Sequence, residues 1–87
     1  MWRLEFTPEA EVSLSKLDAD VRKRVAKKLE WLADNFDHVS PEPLSHELAG
    51  KYKLRVGDYR VIYSFEEEKR IIQVYLIGHR SKIYRLS

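Results

Sequence analysis

The sequence predicts a two-layer α+β fold in the order β-α-α-β-β-β. Two N-terminal helices pack on a mainly antiparallel sheet, and a short C-terminal helical tail follows. Three observations carry this reading. Apolar residues recur at helical spacing between residues 10 and 36, and from Lys51 onward the period changes to two. Helix-start signals stand at Thr7 and Asp18, and a tight-turn pair, Gly57-Asp58, divides the alternating half. At 87 residues without an internal repeat or a linker-like tract, the chain is expected to form a single domain over 1–87.

Residues 2–6 alternate Trp2, Leu4 and Phe6 against Arg3 and Glu5, the period of a half-buried strand. Thr7-Pro8-Glu9 supplies an N-cap, a proline at the first helical position and an acid in the first turn. A helix is expected from Pro8 to about Leu17, burying Ala10, Leu14 and Leu17. Beyond Asp18, the series Val21, Val25, Leu29, Leu32 and Phe36 marks a second amphipathic helix. Its Arg22, Lys23, Arg24, Lys27 and Lys28 are read as a solvated face. The stretch from Asp37 to Gly50, with Pro41 and Pro43, reads as a connector with little regular structure.

From Lys51 the period is two. Tyr52, Leu54 and Val56 face the core, Gly57-Asp58 turns the chain, and Tyr59, Val61, Tyr63 and Phe65 continue the apolar face on the return strand. A polar turn over 66–69 leads to a third strand, Arg70 to Ile77, with Ile72, Val74 and Leu76 expected inward and Gly78 ending it.

Without cysteine there is no disulfide, thiolate zinc site or thiol nucleophile, which fits a reducing compartment, the cytoplasm by default. No stretch is long and apolar enough for a bilayer, so no membrane partner is expected. His38, His46 and His79 lack metal-ligand spacing, and neither a metal nor another cofactor is expected. No phosphate-binding glycine loop, serine elbow or paired-carboxylate signature is present.

The net charge of +2 conceals a division. Residues 1–50 hold seven Lys/Arg against ten Asp/Glu, a balance of −3, whereas residues 51–87 hold nine against four, a balance of +5. A two-residue loop at Gly57-Asp58 sets Arg55 directly across from Arg60, with Lys51 and Lys53 on the same face. Opposed like charges destabilise a strand pair, so this face is expected to receive an anion. The second turn is expected to set Phe65 opposite Arg70 and Arg60 opposite Tyr75, bringing Gln73 and Tyr75 to the exposed face beside Arg60. Arg80 then projects toward Arg60, and Lys82, Tyr84 and Arg85 extend the basic, aromatic surface along the tail. Cations that hold phosphates beside aromatics that stack on bases suit single-stranded RNA.

The run from Leu48 to Tyr63, LAGKYKLRVGDYRVIY, followed by Ile77-Gly78-His79-Arg80 and Tyr84, resembles the RelE toxins of bacterial and archaeal toxin–antitoxin pairs, within the wider RelE/ParE superfamily. The resemblance implies a ribosome-dependent endoribonuclease that cuts mRNA in the ribosomal A site and inhibits translation, through attack of a nucleotide's own 2′-hydroxyl on the adjacent phosphate. It places Lys51 and Lys53 as lysines that hold substrate and help remove the hydroxyl proton. Arg60 becomes the stabiliser of charge on the phosphate, Arg80 the group beside the leaving oxygen, and Tyr84 the residue that orients the nucleotide. Arg55 is implied to bind the RNA backbone. The interval from Arg80 to Tyr84 is shorter than in well-studied members, and the Glu/His acid–base pair of some relatives is missing from the predicted active face.

Partners implied in the same way are a neutralising cognate antitoxin, in a heterotetramer or larger complex, and the ribosome with mRNA in its A site. Operator DNA is implied only through the antitoxin. The rival readings are a ParE-like gyrase inhibitor without RNA chemistry and a catalytically weakened family member.

Overall fold

The computed structural model describes residues 1–83. It contains β1 (Arg3–Phe6), α1 (Pro8–Ser15), α2 (Ala19–Asn35), β2 (Glu42–Pro43), β3 (Tyr52–Val56), β4 (Tyr59–Glu66), β5 (Ile71–His79) and α3 (Arg80–Ile83). The sheet runs β1-β5-β4-β3-β2, with β1 parallel to β5 and the other pairs antiparallel. The α+β architecture read from the sequence is therefore the observed one.

Local chemistry explains both helices. Thr7 Oγ1 accepts the Ala10 N–H at 3.1 Å and Pro8 occupies the first turn, where its missing N–H costs nothing. Helix α1 stops at Ser15, two residues short of the expected end, and buries Ala10 with Leu14 and Leu17 partly covered. Helix α2 buries Val25, Leu29, Leu32 and Ala33 against the sheet, and Phe36 continues the stripe in a 3-10 turn.

These side chains meet Val56, Val61, Tyr63, Ile72, Val74 and Ile77 in one core. At one end the aromatic rings interlock: Trp2 and Phe65 flank Phe36 edge-on, at centroid distances of 4.7 and 4.9 Å. Beyond the last β1 pair, α1 takes over the edge of β5: the Ile77 N–H donates to Ser13 Oγ at 3.0 Å, and Thr7 Oγ1 donates to the Tyr75 carbonyl at 3.3 Å.

Four sequence expectations need correction. The connector holds a strand, because Glu42, restricted to extended backbone by Pro43, pairs with Lys53 on the sheet edge. The second hairpin closes at Glu66 and Ile71 around a four-residue turn in which Arg70 adopts a positive φ of 54°, so Phe65 opposes Ile72 rather than Arg70. The register then shifts at Ile62/Tyr63, leaving Tyr75 unpaired as a bulge. Arg60 consequently faces Gly78 instead of Tyr75, and Ile77 replaces Leu76 in the core. Finally, Gly78 does not end β5, which continues through His79.

The bulge turns Leu76 out of the core to pair with Ile62 on the sheet face away from α2, where Leu76 lines a hollow at the α1 edge with Pro8 and Val12. On that face Ile62 and Ile83 are buried at 2% and 3% exposure although neither belongs to the main core. Gly78 makes room for this cover: a Cβ on it would lie 3.3 Å from both Cγ1 and Cδ1 of Ile83. Among the described residues no helix is long and apolar enough to cross a membrane.

Candidate nucleic-acid interface

The face of the sheet away from α1 and α2 carries Lys51, Lys53, Arg55, Arg60, Gln73 and Tyr75 of the predicted site residues, arranged along the strands in two groups with Arg80 beside one of them. At the hairpin end Arg55 stands opposite Arg60 across the β3–β4 pair, as the two-residue loop requires. Arg60 Nη1 donates to the Gly57 carbonyl at 2.8 Å and to the Tyr59 carbonyl at 2.9 Å. The intervening carbonyl, that of Asp58, accepts the Arg80 N–H at 2.8 Å, and the Asp58 carboxylate lies 3.9 Å from Arg80 Nε. The Gly57 and Tyr59 carbonyls thus fix the Arg60 guanidinium, while the Asp58 carbonyl fixes Arg80 through its main chain and leaves its side chain in solvent. Gly57 makes the turn possible with a φ of 58°, a left-handed conformation that costs a side-chain-bearing residue about 1–2 kcal/mol.

Arg60 differs from expectation in exposure: it is 5% exposed, the one buried charged side chain among the described residues. Its neighbour across the sheet is Gly78, over which Ile83 sits, so α3 helps cover this end of the face. Arg80, at the start of α3, keeps 60% of its side chain exposed. The His79 ring braces the same corner, since Nδ1 accepts the Ser81 N–H at 3.2 Å and the ring meets Tyr59 edge-on at 5.4 Å.

At the other end, the Lys51 ammonium sits 4.7 Å from the centre of the Tyr75 ring, and Ser64 Oγ donates to the Tyr75 hydroxyl at 3.1 Å. Gln73 pairs with Ser64 in the adjoining register. Lys53 lies between the groups, its ammonium 3.6 Å from the Glu42 carboxylate. From Lys51 to Arg55 the track spans four residues, about 13 Å at strand rise. The structure therefore places Arg55, Arg60 and Arg80 at one end and Lys51, Gln73 and Tyr75 at the other, with Lys53 between. Lys82 is exposed and lines a separate hollow with Tyr59 and His79 on the α1 side. Tyr84 and Arg85 lie outside the described residues.

Two organising residues escaped sequence reasoning. Asp58 was read as a turn residue alone, and only the register shows that its carbonyl meets Arg80. Glu42 lay in the supposed connector, although its place before Pro43 signals the extended backbone that puts it beside Lys53. No group of three or more metal-ligating side chains converges among the described residues.

Comparison with known proteins gives the lineage. Residues 4–84 match the family model described as "ParE toxin of type II toxin-antitoxin system, parDE". The toxin RelG of Mycobacterium tuberculosis is 39% identical over 90 residues, covering 97% of each chain. The mRNA interferase toxin RelE of Escherichia coli is 32% identical over 88 residues, covering 93% of this chain and 87% of that protein. Among solved structures, the RelBE2 toxin–antitoxin complex of Mycobacterium tuberculosis superposes with a TM-score of 0.81 at 28% identity, covering 93% of both chains. The isolated Escherichia coli RelE toxin shares the fold, with a TM-score of 0.76 at 24% identity over 99% of this chain and 94% of that one. Family match, full-length relatives and fold agree, and the chain belongs to the RelE/ParE family of type II toxin–antitoxin toxins.

Proposed function

We propose that this toxin is a ribosome-dependent mRNA endonuclease and that the sheet face bearing Arg60 and Arg80 performs the cut. The observation that carries the reading is the Arg60 guanidinium held by the Gly57 and Tyr59 carbonyls, with Arg80 anchored beside it by its backbone N–H on the Asp58 carbonyl. A guanidinium held in place before substrate arrives stabilises developing phosphate charge without reorganising, which is where the largest electrostatic gain in catalysis lies. The relative named an mRNA interferase supports the same reading.

In the proposed reaction the 2′-hydroxyl of an A-site nucleotide attacks the adjacent phosphorus. The bond from phosphorus to the 5′ oxygen breaks, and the products are a 2′,3′-cyclic phosphate and a 5′-hydroxyl. Lys51 and Lys53 hold the substrate and stabilise the oxyanion that forms as the hydroxyl proton passes to water, Lys53 exchanging the Glu42 carboxylate for RNA, and water returns a proton to the departing 5′ oxygen. Arg60 stabilises the phosphate, and Arg80 serves the leaving oxygen. Arg55, Gln73 and Tyr75 bind the strand along the face, with Lys82, Tyr84 and Arg85 beyond it. A cognate antitoxin neutralises the toxin in the cytoplasm, as the toxin–antitoxin complex of its structural relative supports.

Expression of the toxin alone, with primer extension on cellular mRNA, tests the proposal. Cuts in ribosome-bound messages that vanish with Arg60→Ala or Arg80→Ala are expected. Intact mRNA with impaired supercoiling would replace this reading with gyrase inhibition, the rival that the name of the matching family keeps in view.

A further inference from the structure

Arg24, Lys27, Lys28 and Trp31 fall at i, i+3, i+4 and i+7 on α2 and so form one stripe beside the buried one. The sequence places Arg24, Lys27 and Lys28 on a solvated face, but together with Trp31 they line a hollow of about 430 Å³ whose other lining residues are Arg55, Val56 and Gly57 at the β3–β4 turn. The Arg24 guanidinium reaches that turn, since a Cβ on Gly57 would stand 3.3 Å from its Nη1. The Lys28 ammonium lies 3.9 Å from the centre of the Trp31 ring, and Trp31 remains 45% exposed. Four cations and an open indole line the hollow, and no carboxylate does. Strand β2 pairs only with Tyr52 and Lys53, so the β3 edge beside Arg55 is left uncovered by it.

We infer that this hollow is a second binding site for single-stranded RNA, separate from the cleavage face and joined to it through Arg55. The cations take backbone phosphates, and the indole face turned away from Lys28 takes a base. Base stacking on an aromatic between cations is the way proteins hold single strands without reading sequence. Phosphates spaced along a strand match the cations and a base between them matches the flat exposed indole, which favours RNA as the occupant. Arg55 faces Arg60 across the strands and also lines the hollow, so a strand leaving the cleavage face at the hairpin continues onto α2.

The test is binding of a short all-2′-O-methyl oligoribonucleotide, which has no free 2′-hydroxyl and cannot be cut by the proposed reaction. Failure here leaves the cleavage proposal standing, and cleavage insensitive to Arg60→Ala would remove that proposal without touching this one. Trp2 is 4% exposed, so acrylamide quenching reports chiefly on Trp31. Bound RNA should protect Trp31 from acrylamide, and Trp31→Phe should abolish the protected signal. Arg24→Ser with Lys27→Ser should weaken binding about tenfold and flatten the salt slope by about 1.4, two phosphate contacts at about 0.7 each. Lys23→Ser with Lys69→Ser removes the same charge outside the hollow and should change affinity less than about twofold. Equal losses in the two double variants would overturn the inference, as would RNA binding that leaves Trp31 open to acrylamide. Protection by an acidic peptide and not by RNA would assign the hollow to a protein partner and overturn it as well. The acrylamide measurement on the unaltered chain decides the matter even if a variant fails to fold.

Discussion

The two faces of the sheet use the same strands for opposite purposes. Toward α1 and α2, Val61, Tyr63, Ile72 and Val74 are each at most 1% exposed and interlock with Leu29, Leu32 and Phe36. On the other face the same strands present Arg55, Arg60, Lys53, Ser64 and Tyr75, relieved by the small apolar cover of Ile62 and Ile83. Strand alternation keeps stability and chemistry one residue apart, and the Tyr75 bulge adjusts the boundary where the tail must fold over. Under the proposed function, this alternation separates the residues that hold the fold from those that would meet RNA.

That division can be broken from either side. Leu32→Ala, on the core side, should cost about 2–5 kcal/mol in a urea melt, a large share of the stability of a domain this size. Arg80→Ala, on the other side, should slow cleavage of ribosome-bound mRNA by about 10²–10³. Its urea midpoint should stay nearly fixed, because that side chain is mostly exposed and its ion pair with Asp58 is long. Gly57→Ala falls between the two classes: about 1–2 kcal/mol of stability is expected to go, with a disproportionate loss of cutting, since the turn that strains is the one holding both arginines.

The pH responses sharpen the same contrast. Burial, with smaller contributions from Tyr52 and Glu42, pushes the Tyr63 hydroxyl up to about 12. An acid whose folded pKa is raised contributes stability below its ordinary value near 10 and loses it as pH climbs toward 12. Tyr63→Phe should abolish that alkaline loss. The smallest effect concerns Asp37, whose carboxyl is held below the usual range chiefly by the Trp2 indole N–H at 3.0 Å, and also by Arg70 at 2.7 Å. Its contribution is present above the ordinary carboxylate pKa and fades as pH falls through the lowered one. Trp2 emission should shift there, and Asp37→Asn should remove the shift.

What the sequence made legible follows from how local each determinant is. Thr7-Pro8 announced α1, and the stripe from Val21 to Phe36 announced α2, because caps and helical spacing are written in adjacent residues. The opposition of Arg55 and Arg60 was legible too, since a two-residue turn allows only one count. The next hairpin was not. Its turn depends on Arg70 holding a positive φ while its side chain bonds Asp37, 33 residues away, and lies 5.2 Å from the Trp2 ring. The bulge at Tyr75 depends in turn on α1 meeting the β5 edge through Thr7 and Ser13. Arg60 folds back onto the carbonyls of its own turn and is buried, which no pattern within β4 encodes.

The most direct measurement uses purified ribosomes holding an mRNA with a single 2′-O-methyl nucleotide at the expected cut in the A site. The account predicts that the unmodified message is cut to a 2′,3′-cyclic phosphate and a 5′-hydroxyl, while the methylated one stays whole in the presence of the same toxin. Cleavage of the methylated message at that position would contradict it.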